Sequence, residues 1–414
     1  MNPQKKNSAY RSVVTVVIIF GIISLFGDVV YEGARSANSQ YLNLLGISAT
    51  TVGLVFGIGE FLGYALRLLA GVLSDKTHRQ WVFIFIGYGL LIVVSLMGLT
   101  VKWPVLVILI LLERIGKALR SPAKDTILSS IAQQMVGVGT AFGVQEALDQ
   151  VGAFLGPMIF TTVFALSGTQ GVAEYQLGYR LLIFPFIALM GFLYYAYRKI
   201  EREELIPEMK IKEFRNEKLS KIFWVYTLFT LVGTLGFVNF STIGYHLKAR
   251  DLMDDATITG LYGVAMIMDA VMALVIGKLY DTMKSRSKRK TGGLAVLAVT
   301  PIFTVLLPFF TLTENKTLII IGMMLFGIIM GTHETIMRSA ISDITPFYKR
   351  GTGYGVYNAA YGLALFGGAS LFGYLYDQHM IPLIQGITVV AEIVAVILFV
   401  RMLAMTRENP EHIA

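Results

Sequence analysis

Asp28, Glu32 and Arg35 follow one another at spacings of four and three, directly after the apolar run 13–25. On a helix those spacings put all three side chains on one face. Glu113 and Arg114 interrupt a second apolar run, and Glu146 and Asp149, three apart, share a face of a third. A charge at membrane depth is costly and persists only where it meets protein, a partner charge or water. Carboxylates held in that way take up and release protons, or bind a cation, as their surroundings change from wet to enclosed. Asp28, Glu32, Glu146 and Asp149 are therefore the candidate proton or cation carriers, with Arg114 placed to tune them. A surrounding cavity would draw on Tyr31, Arg35, Glu60, Arg67, Glu113 and Gln145 in the first half of the chain. In the second half it would draw on Asn239, Tyr245, Tyr262, Asp269, His333, Glu334 and Tyr361. Aromatic and amide side chains receive an amphipathic guest with modest geometric demands. Trp224, by contrast, reads as an interfacial anchor.

The elements that must position these groups are membrane helices. The chain of 414 residues is 55% hydrophobic and only 15% charged, against roughly 25% charged in soluble domains. Apolar windows of about 20 residues predict helices at 12–37, 48–74, 81–100, 103–122, 137–167, 177–198, 221–247, 256–280, 292–312, 317–340, 351–376 and 381–403. With the N-terminus in the cytoplasm, most of the 35 Lys and Arg residues fall on the cytoplasmic side. Only Lys102, Arg180, Lys248, Arg250 and Lys316 fall on the outer side, so both termini are expected to be cytoplasmic. Lys5 and Lys6 before an apolar run suggest a signal peptide, but the run continues into Asp28 and Glu32, which makes it a retained first span. The expected class is an all-α membrane protein of twelve transmembrane helices in two pseudo-symmetric six-helix bundles. Residues 1–198 would form the first bundle, the charge-rich stretch 199–220 a cytoplasmic linker, and 221–414 the second bundle.

The two halves repeat each other. Gly71-Val-Leu-Ser-Asp75-Lys76-Thr-His-Arg79 after helix 2 is matched by Gly277-Lys-Leu-Tyr-Asp281 and Arg286 after helix 8. Arg120-Ser121 with Asp125 is matched by Arg338-Ser339 with Asp343, and Gly139-Thr-Ala-Phe-Gly143 by Gly351-Thr-Gly-Tyr-Gly355. On these motifs the chain resembles the major facilitator superfamily over nearly its whole length. The superfamily's loop between helices 2 and 3 reads Gly-x-x-x-Asp-Arg/Lys-x-Gly-Arg/Lys-Arg/Lys; here His78 and Gln80 depart from it. The resemblance implies a latch in which Gly71 allows close helix approach, Asp75 meets the N-terminal end of helix 11 and Arg79 pairs with Asp125. By the repeat, Gly277 and Asp281 take the same roles, with Arg286 or Lys284 near Asp343. Gly143, Gly152, Gly156 and Pro157 resemble the helix-5 motif of the family's twelve-helix drug/proton antiporters, although Phe160 and Thr161 replace its last two glycines. Such a helix is expected to pack tightly against helix 8. Arg114 stands where those antiporters carry a buried arginine, without the Gln-Gly that follows it there.

Other chemistries find little support. The absence of cysteine excludes disulfides and thiolate-bound metals, and the five histidines are dispersed. No phosphate-binding Gly-x4-Gly-Lys-Ser/Thr loop and no Gly-x-Ser-x-Gly nucleophile turn occurs, so no enzyme activity and no cofactor are expected. The net charge of +8 follows membrane orientation rather than nucleic-acid binding. The resulting expectation is a monomeric, proton-coupled antiporter in a bacterial or archaeal inner membrane, exporting small amphipathic or cationic compounds by alternating access. The alternatives are a divalent metal-cation exporter using the carboxylates with His333, a carrier of organic anions or lysolipids using Arg35, Arg67 and Arg114, and a non-transporting sensor.

Overall fold

The structure is a computed structural model that describes residues 3–77, 79–132, 138–203, 205, 219–287, 292–345 and 350–408. Within these, the side chains of 3–9, 75, 138–140, 337–339, 342, 350–352, 407 and 408 lie outside the description. Every regular element among the described residues is helical: α1 (Pro3–Leu44), α2 (Ala49–Thr77), α3 (Gln80–Gly89), α4 (Ile92–Met97), α5 (Trp103–Ala132), α6 (Val138–Ser167), α7 (Val172–Leu181) and α8 (Ile183–Arg202). There follow α9 (Lys221–Leu235), α10 (Phe240–Ala249), α11 (Asp255–Ser287), a 3-10 segment (Gly292–Ala298), α12 (Val299–Thr311), α13 (Lys316–Ile344), α14 (Arg350–Asp377) and α15 (Ile381–Glu408).

Among the described residues 11 stretches are long and apolar enough to cross a membrane. The remaining long helix, α5, carries Glu113, Arg114, Lys117, Arg120, Lys124 and Asp125, too many charges for an apolar window. The expected helix 4 at 103–122 is therefore ten residues too short. Pro122 lies inside α5 rather than ending it, and the hydroxyls of Ser121 and Thr126 donate to the Lys117 and Pro122 carbonyls on either side. Expected helices 3, 6 and 7 are each broken into two, the last at Gly236–Asn239, where Asn239 caps α10 by accepting from the Thr242 amide.

By contact the chain divides into two compact units, Met1–Tyr41 with Leu66–Ile211, and Leu42–Ala65 with Lys212–Ala414. Most of the expected linker 199–220 lies outside the described residues; elsewhere the difference from the expected boundaries is residues 42–65. Gly53 and Gly57 of α2 lie against the backbone of α14 at Phe366, Ala369 and Gly373, so this part of α2 packs in the second unit. Asp377, at the end of α14, accepts from the Ala49 and Thr50 amides at 3.0 and 2.7 Å and caps α2 there.

Local structure repeats as the motifs do. The turns after α1 and α10 both use a left-handed residue, Gly46 (φ 76°) and Asp251 (φ 51°). Both close with the same bond one residue further on, Ile47 N to Leu42 O and Leu252 N to Leu247 O. Ser48 and Asp254 then cap the following helices at the Thr51 and Thr257 amides. In the first unit Gly152 meets the Leu25 carbonyl, and in the second Gly368 meets the Leu235 carbonyl.

Candidate functional site

The carboxylates of the first unit are brought together by glycine. An added Cβ at Gly152 or Gly156 on α6 would collide with the carbonyl oxygens of Leu25 or Val29 on α1, so the two helices approach to backbone contact. Asp149 is three residues before Gly152, and Asp28 three after Leu25. This register puts the Asp149 carboxylate beside Ser24 and within electrostatic reach of Asp28 and Glu146. The Gly152 and Gly156 face of α6, expected from the motif to serve close packing, meets α1 through the Leu25 and Val29 carbonyls and Gly33. An added Cβ at Gly143 would meet nothing within 4 Å among the described residues, and Pro157 lies within α6.

α5 supplies the opposing charge. Arg114, Lys117, Arg120 and Lys124 recur every three or four residues and so share one face. The strongest cationic influence on Asp28 is Lys117, with Arg120 and Lys124 also in reach and Glu32 opposing them. Lys117 stands 3.6 Å from the Tyr31 ring centroid and Arg114 4.7 Å from it. A desolvated contact of that kind stabilises a cation by about 2 kcal/mol. Arg114 approaches Glu113 at 3.4 Å, both nearly fully buried. Lys124 donates to Ser24 at 2.8 Å, Arg120 lies over the Tyr88 ring, and Arg67 is in reach of Lys117. Gln145 donates to Asp149 at 3.4 Å, Gln150 to Glu146 at 3.5 Å, and Arg35 lies 3.5 Å from Glu32 within α1. The site is thus a half-buried lattice of alternating charge, in which any added or lost proton is felt by several neighbours at once.

In the second unit the expected lining residues separate. Tyr361 stacks on Tyr357, which stacks on Tyr226, and meets Tyr64 edge-on at 4.9 Å and His333 at 6.4 Å between ring centroids. These rings form a continuous aromatic wall. Tyr262 instead is fully buried between Phe240 and Phe326, where ring packing accounts for it. Asn239 serves as the α10 cap, and Tyr245 donates to the Ile47 carbonyl and packs on Tyr376. Asp269 is buried at the α11–α13 seam beside Gly331, Glu334 is exposed, and Glu60 is half-buried on the second unit's part of α2.

Of the latch residues, Gly71 lies against Pro122, Lys76 and Arg79 are exposed, and the Asp75 side chain is outside the described residues. Arg79 and Asp125 form no ion pair among the described residues; Arg79 sits at the start of α3 with its side chain in the open. In the repeat, Lys284 rather than Arg286 pairs with Asp343, at 2.7 Å, and Tyr280 donates to the same carboxylate at 2.8 Å. Gly277 approaches Thr335, while Asp281 and Arg286 are exposed.

Lys117, Arg120 and Lys124 are the site residues that the sequence reading missed. Their signal was present in the three-and-four spacing after Arg114, but a helix ended at 122 assigns Arg120 and Lys124 to a cytoplasmic edge. Among the described residues no group of three or more His, Asp or Glu side chains is arranged to hold a metal ion.

The model of the Major Facilitator Superfamily matches residues 14–369. An uncharacterized protein of Mycobacterium tuberculosis is 35% identical over 388 residues, covering 92% of this chain and 91% of its own. An uncharacterized MFS-type transporter of Methanocaldococcus jannaschii is 28% identical over 385 residues, covering 91% and 92%. Among solved structures, the nucleoside transporter NupG superposes with a TM-score of 0.65 at 14% identity, over 95% of this chain and 100% of that one. These helices are those of an integral membrane protein with a transporter fold, and the chain belongs to the major facilitator superfamily of secondary transporters.

Proposed function

We propose that the chain is a proton-coupled antiporter that exports small amphipathic or cationic compounds by alternating access. The carrying observation is the half-buried Asp28–Asp149 pair, brought within electrostatic reach by the Gly152 and Gly156 contacts with α1. Two carboxylates in such a place repel when both are charged, and a proton on one relieves the repulsion. Lys117 and Lys124 supply the compensating charge while the protons are off. Glu32 and Glu146 extend the set, and Arg114 acts through Glu113 and Tyr31. The aromatic wall around Tyr361 suits an amphipathic guest. Both termini would face the cytoplasm of a bacterial or archaeal inner membrane, and the protein would work as a monomer.

A second reading is supported by the four cations on one face of α5: a carrier of organic anions or lysolipids, with Lys117 and its neighbours receiving the acidic group. Purified protein in liposomes, with an internal pH dye, is challenged with a panel of cationic, neutral and anionic compounds. Compound-dependent proton release from a cation supports the antiporter. Uptake of an anion with no change in internal pH, abolished by Lys117→Met, supports the second reading instead.

A further inference from the structure

A narrow cavity lies wholly inside the second unit, with room for a water-sized guest rather than an organic molecule. Its lining includes Thr230 and Thr234 of α9, Thr300 and Thr304 of α12, Thr332 and His333 of α13 and Glu392 of α15, all buried. No Lys or Arg lines it among the described residues. Oε1 of Glu392, the Thr234 hydroxyl and Nδ1 of His333 have no hydrogen-bond partner among the described residues. The Glu392 carboxylate lies over Gly233 and Gly236, at the C-terminal end of α9 where helix 7 breaks, and Thr388 one turn earlier on α15 donates to the Gly236 carbonyl at 2.9 Å.

Three features select a cation. The C-terminal end of a helix carries partial negative charge, so a carboxylate there is repelled unless something positive stands between them. The Thr300 and Thr332 hydroxyls spend their protons on the Leu297 and Ile328 carbonyls one turn earlier in the chain, at 2.8 and 2.7 Å. They therefore present oxygen lone pairs alone to any guest. A buried carboxylate with an unpartnered oxygen, acceptor hydroxyls and a broken helix end form a donor set dominated by oxygen and suited to a small, hard ion, with the His333 imidazole also lining the cavity. The single formal negative charge matches a monovalent ion. We infer that this cavity is a sodium-binding site of the second unit, with Glu392 as its anionic ligand and the Thr234, Thr300, Thr304 and Thr332 hydroxyls as neutral ones.

The test uses purified full-length protein in detergent, melted in NaCl, KCl or choline chloride at one ionic strength, with radiolabelled Na+ binding counted by equilibrium dialysis. The inference predicts one saturable Na+ per chain and an upward shift in Tm of about 2 °C or more that K+ and choline do not reproduce. Glu392→Gln removes both the binding and the shift. Thr234→Val, which keeps the carboxylate, weakens Na+ binding about tenfold. Asp28→Asn leaves Na+ binding in place, which separates this site from the proton-coupling reading. Equal melting in the three salts, or full Na+ binding by Glu392→Gln, overturns the inference. So does stabilisation that follows pH alone in every salt, the behaviour of a proton held by Glu392.

Discussion

Replacing Gly152 by Ala adds one methyl group where α6 touches the backbone of α1. The new Cβ would fall on the Leu25 carbonyl oxygen, with the Leu25 carbonyl carbon and Cα close behind. None of these can rotate aside, so the helices have to part by about 1 Å to restore ordinary contact. Overpacking of this kind costs about 1–3 kcal/mol. The same movement draws Asp149, one turn earlier on α6, away from Ser24 and Asp28 on α1. A displacement of about 1 Å at a working site can cost on the order of 100-fold in rate, so gradient-driven transport should fall at least tenfold. Gly143 is the internal control: it belongs to the same sequence motif, yet among the described residues nothing stands within 4 Å of its added Cβ. Gly143→Ala should therefore melt and transport like the parent. The assay is thermal unfolding in detergent beside uptake in liposomes. A Gly152→Ala protein that matches the parent in both would refute the claim that this contact sets the carboxylate geometry.

Asp377→Ala removes the acceptor of the Ala49 and Thr50 amides, a cap whose loss costs about 0.5–2 kcal/mol. Hydrogen exchange at residues 49–52 should speed up, and unchanged protection there would show that the cap is idle. Lys284→Met removes one partner of Asp343 and, with the lysine side chain 37% exposed, should cost under about 1 kcal/mol. Asp343→Ala, which also strands the Tyr280 hydroxyl, should lower the melting temperature further; equal losses would deny the tyrosine a part. Lys117→Met takes the main cationic influence from Asp28, and the pH dependence of transport should shift to more alkaline values, because an unopposed carboxylate holds its proton longer. An unmoved profile would remove Lys117 from the coupling machinery.

The helical class, the repeat and the acidic positions were legible because each leaves a local trace: apolar length, matched motifs, and charges inside hydrophobic runs. Partners were less legible. Gly152 and Gly156 announce a close approach, but their spacing says nothing about which helix fills it, and the neighbour proved to be α1. Lys124 looked like an edge residue because lysine is common at cytoplasmic helix ends; inside α5 it instead bonds Ser24, 100 residues away in sequence. Tyr262 and Asn239 carried polar atoms at plausible depths, yet a tyrosine ring also fills a core and an asparagine also caps a helix. The threonine cavity left only a partial trace: His333 and Glu392 stand out as polar groups inside apolar runs, but the threonines are scattered over α9, α12 and α13 and each reads as a neutral member of its run.

The central claim is that the Asp28–Asp149 pair holds the proton whose movement drives transport, with Asp28 needed for it. Its most direct measurement compares two modes in liposomes for one transported compound: exchange at equal pH on both sides, and accumulation driven by a pH gradient. Asp28→Asn should retain the first and lose the second. Accumulation at the parent rate in that variant, with internal pH still responding to the compound, would contradict the account.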